Sequence, residues 1–394
     1  MRDCTSCGKP NDAAASHCFE CGAELPAAPI QHALPDVPAP KLIVPAELAA
    51  AFSFQESFHR VDWDLVRQWI DSHLSPADRE EAWNEAALLW ISKLGEDLGG
   101  DYIILQSPQT VLLCDRPLET ARWLLDYAGR AAVTIKEHLG DTAWQGAFAK
   151  AVVLVFSDDD DYYQYLAHHT PDGEQAASGG VCIHSGYTHI AVLWRDELEA
   201  ANVIIHELTH DCLAHLPLPL WLNEGVAVTL QRAIAPTPRG LGQSEQDALY
   251  AASIDWRAPI MWDELAERHF AFWTEKPIQA FWAGTSFYQP GEGNELSYSL
   301  AEVFLRLLIE RTDRNSFRAF LESAQQDDAG QTAAMDILAI DLGEIARTFL
   351  GEGDWRPQRK AMIACWDAAG WKKRHQDGTP PAVGMPWMKG TEVD

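Results

Sequence analysis

ANVIIHELTHDCLAH, residues 201–215, runs directly into LPLPLWLNEGVAVTL, residues 216–230, and this pair of segments decides how the chain is read. Within the first lies His206-Glu207-Leu208-Thr209-His210. At 3.6 residues per turn, imidazoles four positions apart share one face of a helix and can hold one cation between them. Glu207 lies close to that face, where it can take a proton from a water on such an ion. The apolar Val203-Ile204-Ile205 run before it suits a buried helix lining a cleft.

A catalytic zinc takes three protein ligands and keeps a fourth position for water. His215 does not complete the set. On a continuous helix it points about 180° away from His206. In the HExxHxxGxxH spacing it also falls one residue short, with Leu213 where that pattern has Gly. Glu224 is better placed. Pro217 and Pro219 end the first helix and let the chain reverse, and a second helix opens near Leu220. Glu224 then stands about one turn in, opposite the two imidazoles. Two His and one Glu leave an open coordination position.

HELTH followed by WLNEG resembles the gluzincin metallopeptidases, the thermolysin-like peptidase MA group. The resemblance runs from about residue 100 to 350. It implies an α+β, zincin-like metallopeptidase domain, with a small mixed sheet, the HExxH helix and a helical C-terminal half. It implies a catalytic zinc held by His206, His210 and Glu224, with Glu207 as general base and a peptide or protein as substrate. Tyr298, in ELSYSLAEVFLRLL, matches the family's oxyanion-stabilising tyrosine at the start of a long helix. The resemblance further implies that a strand at about 187–194 forms the sheet edge and holds an extended substrate. It also offers Asn202 and Asp211 as partners for the ligand imidazoles.

A second motif opens the chain: Cys4-x2-Cys7, ten residues, then Cys18-x2-Cys21, with Gly8 and Gly22 after the pairs. Each two-residue spacing lets both thiolates face one ion, and Gly permits the backbone turn that closes the knuckle. So short a module buries too little apolar surface to fold without metal. It resembles the short zinc ribbons at the ends of many bacterial proteins, which implies a structural zinc and a protein partner. The other expectation is therefore a partner-binding scaffold, with this ribbon for docking and a gluzincin-like body of little or no proteolytic activity.

Composition sets the outer limits. The 394 residues carry 30 Lys plus Arg against 58 Asp plus Glu, a formal net charge of −28. An acidic surface of that size repels phosphate backbones, so nucleic acid is an unlikely partner. No apolar run is long enough to span a membrane, and MRDCTSCGKP is not a secretory signal, so the expected location is the cytoplasm. Cys114, Cys182, Cys212 and Cys365 are scattered, as buried thiols in such a compartment usually are.

The expected organisation is a ribbon at 1–25, a Pro/Ala-rich linker at 26–46, a helical region at 47–98, the metallopeptidase domain at 99–371 and a tail at 372–394. Within it, Ser75 and Pro76 are expected to cap and open a helix, and residues 101–106, 110–115 and 151–157 to be strands. Residues 180–194 read as a hairpin. The four Asp at 158–161 read as the favourable first turn of a helix. The aromatic stretch 269–293 reads as core packing.

Overall fold

Three apolar runs, Thr110–Cys114, Ala151–Phe156 and His189–Leu193, are buried nearly throughout, as strands covered on both faces must be. They form the parallel centre of a five-stranded sheet. The computed structural model describes residues 48, 50–55, 57–99, 101–143, 150–169, 179–184, 186–234, 259–289 and 291–369, with the backbone of 2–3 and 10–11. The chain divides into two units, 1–41 and 42–394. In the first, strands β1 (Arg2–Asp3) and β2 (Pro10–Asn11) pair antiparallel. Cys4, Cys7, Cys18 and Cys21, the 26–46 linker and the 372–394 tail lie outside the described residues.

The second unit opens with a hairpin, β3 (Phe52–Gln55) and β4 (Phe58–Val61). Its main sheet contains β5 (Ile103–Gln106), β6 (Thr110–Cys114), β7 (Ala151–Phe156), β8 (Gly180–Ile183) and β9 (His189–Leu193), in the order β5-β6-β7-β9-β8. The two outer strands run antiparallel to their neighbours. The fold class is mixed α+β, as expected. The 187–194 segment is not the edge, however. β9 pairs with β7 on one side and β8 on the other, so among the described residues the edge is β8. Both runs are short and apolar, and only long-range pairing decides which lies outside.

Period-two alternation sorts the side chains. Val111, Leu113, Val152, Leu154 and Phe156 join a core with the helices Trp63–His73 and Arg79–Leu98. Region 47–98 thus shares its core with the sheet, and it contributes the β3–β4 hairpin as well as helices. Ser75 does not cap the second helix directly. That helix starts at Arg79, and the Ser75 hydroxyl donates to Asp78 at 2.6 Å. Helices Leu118–Leu139 and Glu197–Leu213 pack against each other and against strands of the sheet.

Asp158 caps the helix Asp159–Ala167, accepting from the backbone N–H groups of Asp160 and Asp161, so the acidic run is a helix start. Core packing holds for part of the aromatic stretch: Trp273, Phe281, Trp282 and Phe287 are buried and Phe281 stacks on Phe287, whereas Phe270 is exposed. Among the described residues, no helix is long and apolar enough to cross a membrane.

Candidate metal centre

Asp196 fixes the start of the helix Glu197–Leu213 by accepting from the backbone of Leu198 and Glu199. Ten residues beyond that cap, His206 and His210 project from one face with ring centroids 4.7 Å apart. After the prolines the chain reverses into the helix Leu220–Ile234. Its buried Glu224 brings Oε2 to 3.1 Å from His206 Nε2 and 3.4 Å from His210 Nε2. One ligand atom from each of the three residues lies within 4.8 Å of the others.

The reverse side of each imidazole is also held. His206 Nδ1 lies 3.1 Å from Gln231 Oε1, and His210 Nδ1 lies 3.0 Å from Asn223 Oδ1. An amide oxygen can only accept, so Nδ1 carries the donated proton in both rings. Nε2 is left to face Glu224, the arrangement a metal ligand needs. The imidazole partners are therefore Gln231 and Asn223 rather than Asn202 and Asp211. Asn202 Oδ1 is buried and has no hydrogen-bond partner among the described residues. Asp211 groups instead with Cys182 and His184.

Electrostatics couple the three residues. Burial alone would lower the His210 pKa, but the adjacent Glu224 carboxylate outweighs it and raises it to about 9. Burial would likewise raise Glu224, yet His210 and His206 hold it at about 2. A positive charge is thus favoured where the three side chains meet. This fits a donor set of two nitrogens and one oxygen suited to zinc.

Glu207 is buried beside them. Burial raises its pKa, opposed by the two imidazoles and by a hydrogen bond from the Cys182 backbone in β8. Tyr298 lies in the helix Glu292–Ile309, edge-on to Phe287 with centroids 5.2 Å apart. Burial lifts its phenol well above the usual range, with Glu224, Tyr288 and Glu207 adding to the effect. Tyr298 therefore sits within electrostatic reach of both carboxylates.

Tyr288 was not visible as a site residue in the sequence. Burial and then Glu224 raise its pKa as well. It hid inside an aromatic stretch in which Trp273, Phe281, Trp282 and Phe287 are core. Gln231 could have been found, because it stands seven residues after Glu224 and so two turns along the same helix face. His215 takes no part in the cluster. A scan against protein-family models and a search of the curated proteins found no match to this chain.

Proposed function

We propose that the chain is a zinc-dependent metallopeptidase with a zincin-like catalytic domain of the gluzincin type. The observation that carries this reading is the convergence of His206, His210 and Glu224 beside a buried Glu207. A zinc ion bound there supplies the Lewis acidity that makes water nucleophilic near neutral pH. Glu207 takes the proton of the attacking water and passes it to the leaving amine. A carboxylate whose affinity for protons is raised by burial suits that shuttle. The Tyr298 hydroxyl donates to the oxyanion that develops on the scissile carbonyl.

The substrate is an extended peptide. Among the described residues β8 has a neighbouring strand on one side only, so its other side offers main-chain groups for strand addition. The Cys182 backbone bond to Glu207 fixes that edge beside the base. Cys4, Cys7, Cys18 and Cys21 complete the proposal as a structural zinc site that docks a protein partner.

The test is cleavage profiling of a whole proteome with the wild-type chain and Glu207→Gln. The reading expects new peptide termini that appear only with the wild type, while both chains hold the same amount of zinc. Equal cleavage by the two would remove Glu207 as the base, and no cleavage by either would remove the peptidase reading.

A further inference from the structure

We infer that Cys182, His184 and Asp211 form a second transition-metal site, one that ties the edge strand β8 to the helix Glu197–Leu213. One ligand atom from each of the three lies within 4.8 Å of the others. Cys182 and His184 are two residues apart at the end of β8, a spacing that sends both side chains to one face of an extended chain. Asp211 comes from the helix, one turn beyond Glu207. The grouping therefore joins two elements that are remote in sequence, and it shares no ligand with the His206, His210 and Glu224 cluster.

The chemistry of the donors favours an ion. Cys182 is buried, and His184 Nε2 is buried with no hydrogen-bond partner among the described residues. An unpaired ring nitrogen away from water is costly, and a metal bond would satisfy it. A thiolate and a carboxylate together balance a divalent cation, so the occupied site carries no net charge into the interior. Sulfur, nitrogen and oxygen donors suit zinc and its first-row neighbours and disfavour calcium or magnesium. The ion would act as a clamp. The Cys182 backbone already bonds Glu207, so fixing this strand also fixes the surroundings of that carboxylate. The inference does not depend on peptide hydrolysis.

Cobalt(II) tests it, because a thiolate ligand gives a charge-transfer absorption in the near ultraviolet. The probe is added to the metal-stripped full-length chain carrying Cys4→Ser, Cys7→Ser, Cys18→Ser and Cys21→Ser together, which removes the N-terminal thiols. The expected result is a thiolate band that saturates at one cobalt per chain. It disappears with Cys182→Ser and persists with Cys212→Ser and with His206→Ala. His184→Gln and Asp211→Asn should each weaken cobalt binding by about tenfold or more. Absence of the band, or its survival in Cys182→Ser, overturns the site. Should Cys182→Ser lose its circular dichroism, the His184 and Asp211 variants decide alone, and unchanged midpoints in both overturn it.

Discussion

Gly225 and Ala301 meet where there is no room for a side chain: a methyl group at 225 would stand 2.9 Å from the carbonyl oxygen of Ala301. This close approach joins the helix Leu220–Ile234 to the helix Glu292–Ile309. Glu224 is the neighbour of Gly225, and Tyr298 lies one turn before Ala301. The glycine thus sets how near the tyrosine comes to the carboxylate. Gly225→Ala should cost about 1–3 kcal/mol of stability, read by urea unfolding, because the obstacle is backbone and cannot turn aside. Zinc affinity should fall with it, and an unchanged unfolding midpoint would show that the helices can part freely.

Asn223 and Gln231 hold the imidazoles from behind, so their loss should loosen the metal without emptying the core. Asn223→Ala and Gln231→Ala should each reduce zinc affinity by roughly 10–100-fold. The check is competition with a chelator of known affinity. Affinity equal to that of the unaltered chain would mean that the imidazoles need no such support.

The two tyrosines should separate in kinetics. Tyr298→Phe should lower kcat by about 100-fold or more with KM little changed, the pattern of a donor used only in the transition state. Tyr288→Phe should cost less, since Glu207 adds to the raised pKa of Tyr298, which sets that phenol near the proposed base. The reverse order would assign the oxyanion to Tyr288.

Acid should unfold the protein early. His189 donates from Nδ1 to the Tyr187 carbonyl at 2.7 Å, and its Nε2 accepts from the Tyr165 hydroxyl at 2.6 Å, so the ring is held neutral. Burial lowers its pKa to about 4, and burial does the same to His269, whose Nδ1 accepts from Trp273. Between pH 6.5 and 4 the unfolded chain binds the extra protons, so this stability is complete above pH 6.5 and is lost as pH falls toward 4. Each group should contribute about 2 kcal/mol of loss by pH 5. Urea unfolding at pH 7.5 and pH 5 measures it. His189→Gln should flatten part of the slope, and equal stability at both pH values would mean that these rings accept protons in the folded state.

Local signals in the sequence carried a good part of this. His206 and His210 at helical spacing, the two prolines, and the helix reopening at Leu220 together foretold where Glu224 would stand. The acidic run after Phe156 announced its helix because capping needs only near neighbours. What failed was set by pairing across the chain. The edge passed to β8 because β9 found partners on both sides, and no pattern within residues 180–194 encodes that. Asn202 and Asp211 stand on the same helix as the imidazoles. The amides that hold the rings came instead from the helix facing them. The meeting of Cys182 and His184 with Asp211 was invisible for the same reason.

The helix Leu220–Ile234 carries Glu224 together with both amides that orient the imidazoles, while the imidazoles themselves wait on the preceding helix. Capture of an ion at this centre therefore reports that two halves of the polypeptide have found each other. On the proposed reading, a nascent chain stopped at Leu216 would possess HELTH in full yet lack the third ligand and both supporting amides, so zinc retention would serve as a checkpoint on assembly as well as an ingredient of reactivity.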